Sequence, residues 1–330
     1  MLKTLIALFL LGALAAGGYG AWYVATPVAT ARLPAEFEVP QGARLRVAVR
    51  GIEEAGIALR PLEFELLARA LGRAQDIKAG SYELTVAPTP LELLEKLTRG
   101  DVTQAEVKLI EGWTFRQLRA ALDAHAFVRH DTAGLPEADV LARLGAAEAH
   151  PEGLFFPDTY VFGKGTSDLR ILRRAYRALQ RHLEREWRAR DPATPYRSPY
   201  EALIMASIIE KETGRAAERD AIGGVLVNRL RLGMLLQVDP AVIYGLGERF
   251  DGNLKKMHLQ ADGPYNTYTR PGLPPTPIAA PGRASLRAAL RPAKTSALYY
   301  VARGDGTSQF SRTLEEHNRA VRKYQLHGAR

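Results

Sequence analysis

The sequence predicts a mixed α+β protein in three parts: an N-terminal apolar helix, a small α+β module and a larger α+β domain. Three observations predict it. A long uncharged run opens the chain, strand-like and capped helical segments alternate from about Phe37 to Val102, and helical signals with one strand before the last helix fill the second half. The expected boundaries are residues 1–30 for the apolar helix and linker, 35–104 for the module and 105–330 for the larger domain.

The 330 residues suit two modest domains plus a tail. With 46% hydrophobic and 25% charged residues the chain has the composition of a folded protein, not a disordered one. A formal charge of +9 favours an anionic partner. Nucleic acid, phospholipid headgroups and a carboxylate-bearing wall polymer all qualify, and charge does not choose among them. The absence of cysteine excludes disulfides and any cysteine-based metal or nucleophile site.

The opening run, Thr4 to Ala25, follows Lys3 and holds no charge. At ~1.5 Å per residue it is long enough to cross a hydrocarbon core of ~30 Å. Trp22 and Tyr23 stand at its far end, where amphipathic rings favour the interface. A cleaved signal peptide is the rival reading, since Ala25, Ala29 and Ala31 follow, but the run is long for that role. An uncleaved single-pass anchor is therefore expected. Lys3 points the N-terminus to the cytoplasm, against Arg32 on the other side, which puts the rest of the chain outside the inner membrane.

Within the module, Leu62–Leu71 reads as a helix and Ser81–Val86 alternates as a half-buried strand does. A second helix is sharply punctuated: Thr89 caps it, Pro90 suits its first turn, Glu92 completes a capping box and Gly100 stops it. Val107–Ile110 then reads as a strand, and Thr114 with Gln117 as the capping box of a helix reaching Ala124. From Asp168 to Arg190 a long basic helix carries Leu172, Tyr176, Leu179, Leu183 and Trp187 on one stripe. Ser198-Pro199-Tyr200-Glu201 starts another helix, for which Gly214 is the natural stop. Further helices are expected over Ala217–Leu232, from Asp239-Pro240, around Ser285 and Leu286, and around His317, with a strand at Ala297–Ala302.

The chemistry concentrates in the helix that follows Ser198. Ile204, Met205, Ile208 and Ile209 form an apolar stripe whose next position, three or four residues on, is Glu212, while Glu210 falls on another face. Partial burial and the negative end of the helix dipole both raise a carboxyl pKa. A carboxyl held protonated near neutrality is what a general acid for glycoside cleavage needs. Spacing alone favours instead a structural glutamate paired with Arg215 or Arg229.

Neighbouring residues shift that balance. The runs Pro151-Glu152-Gly153-Leu154-Phe155-Phe156-Pro157-Asp158-Thr159-Tyr160, Ala206-Ser-Ile-Ile-Glu-Lys-Glu-Thr213, Val227-Asn228-Arg229-Leu230, Leu236-Gln237-Val238-Asp239-Pro240, Tyr265-Asn266-Thr267-Tyr268 and Pro292-Ala293-Lys294-Thr295 occur in that order. With these, nearly the whole chain resembles the YceG-like endolytic murein transglycosylases. The resemblance implies a single N-terminal membrane span, a LysM-like module and a catalytic domain outside the membrane. It implies that Glu212 is the catalytic residue, with Thr213 where lysozyme-like transglycosylases carry serine.

The implied reaction is cleavage between N-acetylmuramic acid and N-acetylglucosamine with 1,6-anhydro ends, near the membrane, on nascent strands, beside the glycan polymerases. Asn228, Gln237, Asp239, Tyr265, Asn266 and Tyr268 are the candidate sugar-binding residues, although each also suits a backbone-capping role. Glu152, Asp158 and Glu111 read as turn-shaping or structural. No metal or cofactor is expected: the seven histidines show no paired metal spacing, and no phosphate-binding glycine loop precedes a helix outside the membrane segment. Two alternatives stay open, a hydrolytic muramidase using Asp239 or Glu218 as second carboxylate, and a non-catalytic wall-binding scaffold that positions synthases. A nucleic-acid partner is set aside because the anchor puts the domain in the wrong compartment.

Overall fold

A computed structural model describes residues 2–326 apart from positions 41, 103 and 214, so Gly214, the expected helix stop, lies outside the described residues. The chain divides into two compact units, Met1–Glu106 with Val161–Thr166, and Val107–Tyr160 with Ser167–Arg330.

In the smaller unit the Leu2–Ala25 helix includes Ile6–Ala25, the one stretch among the described residues long and apolar enough to cross a membrane; 6% of it is buried. Trp22 is exposed as expected, but Tyr23 is buried against the unit's core. After it come strand Ala35–Val39, helices Leu45–Glu54 and Pro61–Ala70, strand Gly80–Leu84 and helix Pro90–Arg99. The two strands pair antiparallel, Ala35 opposite Leu84 and Val39 opposite Gly80. Phe37 and Tyr82 stack across the ladder at 5.4 Å. Alternate burial along Ala35–Val39 sends Ala35, Phe37 and Val39 into a core with Ile52, Phe64, Leu93, Leu94 and Leu97. The Pro90–Arg99 helix has both expected halves of the Thr89–Glu92 capping box, and Gly100 ends it at φ +74, a conformation that costs glycine nothing.

The larger unit is built around the Pro199–Glu212 helix. Ala202 to Ile209 are buried without interruption, so the expected stripe is an entire buried cylinder. The helix starts with Ser198 accepting from the Glu201 N–H at 3.3 Å. Glu201 does not close a capping box on Ser198; its carboxylate takes the N–H and guanidinium of Arg197 instead. Helices Asp168–Arg188, Arg219–Arg231, Asp239–Leu246 and Arg283–Leu290 surround this cylinder. Gly223 and Gly224 make the closest approach possible: a Cβ on them would lie 2.8 Å from the Ala288 carbonyl and 2.6 Å from the Ala293 carbonyl.

Two expectations change. The strand expected at Val107–Ile110 is Gln104–Lys108, because Glu111 and Gly112 already turn the chain, Gly112 at φ +77. In the Asp168–Arg188 helix, Leu172, Leu179 and Leu183 are buried as expected, but the last core position belongs to Glu186, not Trp187. Arg291 bonds the Glu186 carboxylate, with Arg185 and Arg283 at 3.7 and 3.9 Å, while Trp187 stacks under Arg190. The charges satisfied around Glu186 let it take a place that hydropathy assigns to the indole.

Candidate active site

Glu212 is the last residue of the buried helix and is half-buried. The chain leaves the helix at Thr213, whose hydroxyl bonds back to the Ile209 carbonyl at 2.6 Å and so satisfies one of the helix's last acceptors. The Tyr300 hydroxyl donates to Glu212 Oε2 at 2.7 Å. Among the described residues no hydrogen bond reaches Glu212 Oε1, and no arginine forms an ion pair with the carboxyl. The structural pairing with Arg215 or Arg229 is therefore not made.

Burial raises the Glu212 pKa, the Asp239 charge adds to the rise, and the Tyr300 hydrogen bond opposes it. Tyr300 itself is pushed well above the usual phenol value, first by burial and then by the Glu212 charge, so it stays a proton donor.

Glu210, two residues earlier, has a different fate. Its carboxylate accepts from the Gly282 N–H at 2.8 Å and faces Arg219 at 3.5 Å. Both oxygens are occupied, which makes Glu210 a link between segments.

Tyr300 and Asp239 reach Glu212 through one brace, Arg229. Its Nε donates to the Leu298 carbonyl at 2.6 Å, in the run leading into strand Tyr299–Ala302. Its Nη1 donates to the carbonyls of Leu235 and Leu236 and to Gln237 Oε1, at 3.2, 2.9 and 3.2 Å. These are the residues before Asp239. Asn228 assists, its amide donating to the carbonyls of Thr295 and Ala297 at 2.8 and 3.3 Å. Strand Tyr299–Ala302 then pairs antiparallel with Ser308–Ser311, Tyr300 opposite Phe310, which fixes the Tyr300 side chain.

The remaining candidates divide. Asp239 accepts from the Tyr268 hydroxyl at 2.5 Å, and the Tyr268 pKa is raised by burial, then by Asp239, with Glu212 adding to it. Gln237 sits at φ +53, a strained position for a side-chain-bearing residue, held by its N–H to the Thr267 carbonyl at 3.0 Å. Glu212, Asp239 and Tyr268 thus share one constellation, to which Gln237 is tied through Arg229. Asn266 is buried and spends its amide on the carbonyls of His258, Leu259 and Ala261. Tyr265 bonds Thr276 at 2.8 Å and packs edge-on to Tyr244. The amide groups of Asn228 and Asn266 therefore shape the loops that carry the constellation. Sequence reasoning missed Tyr300; the only signal was its place beside another tyrosine in a strand.

A cavity of about 520 Å³ lies elsewhere, at the C-terminal half of the Asp239–Leu246 helix, and Glu212 does not line it. Its walls include Glu152, Tyr244, Phe250 and Tyr265. Glu152 is 3% exposed, not a surface turn residue: it accepts from the Phe115 N–H at 3.0 Å and the Tyr244 hydroxyl at 3.1 Å. Asp123, His130 and Asp168 bring possible metal-ligand atoms within 4.8 Å of one another. Asp168, however, already accepts from the N–H groups of Asp131, Thr132 and Leu169 and from the Thr132 hydroxyl, so it is a loop clamp.

Comparison with known proteins adds to this geometry. Residues 37–323 match the YceG-like family. A Bacillus subtilis (strain 168) protein named endolytic murein transglycosylase is 34% identical over 268 residues, covering 76% of this chain and 74% of the relative. A Streptococcus pneumoniae (strain D39) protein of the same name is 26% identical over 364 aligned positions, covering 96% of this chain; the chain spans 64% of that relative. A crystal structure of a putative yceG-like protein from Listeria monocytogenes superposes with a TM-score of 0.54 at 31% identity, covering 86% of this chain and 98% of that one.

Proposed function

The chain belongs to the YceG-like family, and we propose that Glu212 is the residue through which it acts as an endolytic murein transglycosylase. The observation that carries the assignment is a half-buried carboxyl with a raised pKa, one oxygen held by Tyr300 and the other without a partner among the described residues. A proton on that carboxyl is available to a substrate oxygen.

In the proposed reaction Glu212 protonates the oxygen joining N-acetylmuramic acid C1 to N-acetylglucosamine. The C1–O bond breaks, the leaving sugar keeps the proton, and positive charge develops at C1. The carboxylate left behind removes the proton of the muramoyl 6-hydroxyl, whose oxygen closes onto C1 as the 1,6-anhydro ring. Glu212 ends protonated, as it began. The 6-hydroxyl is held at high effective concentration by its own ring, so it replaces water and one carboxyl serves both steps. Glycosidases that use water, or a covalent intermediate, need two. Tyr300 positions Glu212 and stabilises its ionised interval. Asp239, Tyr268 and Gln237 are the proposed partners of sugar hydroxyls and acetamides, and the Tyr265 ring of a sugar face.

Asp239, close enough to raise the Glu212 pKa, also gives the hydrolytic reading its second carboxylate. Product analysis decides. Uncrosslinked nascent glycan digested with the wild type and with Glu212→Gln is read by mass spectrometry. Anhydro ends one water lighter than reducing ends, absent with Glu212→Gln, are expected. Exclusively reducing ends reject the transglycosylase step, and undiminished cleavage by Glu212→Gln rejects the acid.

The one long apolar helix among the described residues supports an inner-membrane anchor with the chain beyond it outside; a signal peptide passes the same length test, and the size of the membrane-extracted protein separates them. The strand–helix–helix–strand order of 35–84 supports a LysM-like wall-binding module. Tethering then restricts cutting to strands emerging beside the synthases, which suits termination of elongation.

A further inference from the structure

The exit of the N-terminal helix carries an inference that rests on reading that helix as a membrane span. Tyr19 lies six residues before the helix ends at Ala25, about 9 Å inside it at ~1.5 Å per residue. The Arg60 guanidinium donates to the Tyr19 hydroxyl at 2.7 Å, and that hydroxyl donates to Glu63 at 3.3 Å. One turn on, the Tyr23 hydroxyl donates to the Arg60 carbonyl at 3.4 Å. These bonds bring the Arg60 guanidinium and the Glu63 carboxylate to the Tyr19 hydroxyl and the Arg60 backbone to the Tyr23 hydroxyl. The start of the Pro61–Ala70 helix therefore lies beside the last turns of the apolar helix, which on the membrane reading is headgroup depth.

What that helix exposes fits such a place. Phe64 and Ala68 face the core, whereas Leu62 and Leu66, one turn apart on the outer side, are 70% and 59% exposed. A second segment joins them. The Val28 N–H, three residues beyond the span, donates to the Pro88 carbonyl at 2.9 Å, and Val86 beside it is 71% exposed. Segments far apart in sequence thus put bare aliphatic side chains around the helix exit, edged by the ion pairs Arg60–Glu63 at 3.8 Å and Arg69–Glu65 at 3.6 Å. Aliphatic groups edged by exposed charged pairs suit the boundary between acyl chains and headgroups.

We infer that the Pro61–Ala70 helix and the loop at Val86 lie in the outer surface of the bilayer, with Leu62, Leu66 and Val86 among the acyl chains. The smaller unit is then seated on lipid, not swung on a flexible tether.

The chain has no cysteine, so single-cysteine variants of the full-length protein report one place each. Leu62→Cys, Leu66→Cys, Leu14→Cys within the span, and Glu38→Cys carry an environment-sensitive fluorophore in lipid nanodiscs. Glu38 is exposed near the Val39–Gly80 end of the ladder, away from the Ala35–Leu84 end that adjoins the linker. The expected result is blue-shifted emission, quenching by spin-labelled lipid and loss of iodide quenching at positions 14, 62 and 66, and none of these at 38. Water-like emission at both 62 and 66 with a protected position 14 overturns the inference and leaves the anchor standing. A water-exposed position 14 overturns the anchor reading, and the inference with it. Protection at 62 that appears only after native membrane extract is added assigns the surface to a protein partner and overturns the lipid assignment.

Discussion

The larger unit holds two sheltered carboxyls in matching settings, half-buried Glu212 with Tyr300 and buried Glu152 with Tyr244. In each a tyrosine hydroxyl donates to the carboxyl, at 2.7 and 3.1 Å. In each, burial is the main cause of a raised pKa, to about 7 for Glu152. They differ in what is left over. Glu152 has its second oxygen on the Phe115 N–H, so both are taken, whereas Glu212 keeps one oxygen without a partner among the described residues. A perturbed pKa therefore does not by itself single out a proton donor; the unspent oxygen is what separates the two carboxyls and supports the proposal for Glu212.

The largest expected effect separates the two at once. Glu212→Gln should lower anhydro-product formation by about a thousandfold or more while leaving the thermal midpoint close to wild type. Glu152→Gln should keep the rate within about tenfold. Exchange of these two outcomes, measured by mass spectrometry and thermal unfolding, breaks the comparison.

Next in size is a stability effect. The folded-state pKa of Glu152 is raised from 4.5 to about 7, so the native state holds this proton more tightly than the unfolded chain. The stabilisation is complete below the unfolded value and is lost as pH rises through the folded one, in total about 3 kcal/mol. Denaturant midpoints at about pH 5 and about pH 8 should fall with pH in the wild type and much less in Glu152→Gln. A slope unchanged in Glu152→Gln would remove Glu152 as the source.

Smaller effects sharpen the Glu212 side. Tyr300→Phe removes the hydrogen bond that stabilises the carboxylate, so the Glu212 pKa rises further. The rate should drop by about tenfold, the value of one hydrogen bond to a charged group, and the alkaline limb should move to higher pH. Asp239→Asn removes a repelling charge and lowers the Glu212 pKa, moving the alkaline limb the other way. Its effect is expected to be the smallest. Limbs that shift together, in rate profiles on the same glycan, contradict the coupling.

Much of this was legible before any fold was known. The Thr89–Glu92 and Thr114–Gln117 capping boxes stand as expected. The sequence singled out Glu212 over Glu210, and the structure gives the two unlike surroundings. A stripe does not separate the two, since Ala202–Ile209 are buried on every side; bonding to distant segments does. Tyr300 was not legible, because 88 positions separate it from Glu212. The same holds for Glu186, whose burial depends on Arg291, 105 positions away.

By itself the sequence determined the N-terminal apolar helix, the capped helix starts at Thr89 and Thr114, the stop at Gly100, and the residue types available for proton transfer. These depend on side chains within a few positions of each other, through periodicity, capping and the fixed geometry of backbone and proline. Only the tertiary structure decided which of Glu210, Glu152 and Glu212 keeps an oxygen without a partner among the described residues, which arginine braces the Tyr300 and Asp239 segments, and which tyrosine meets the acid. Those outcomes turn on burial and on bonds between segments that meet only once the chain has folded.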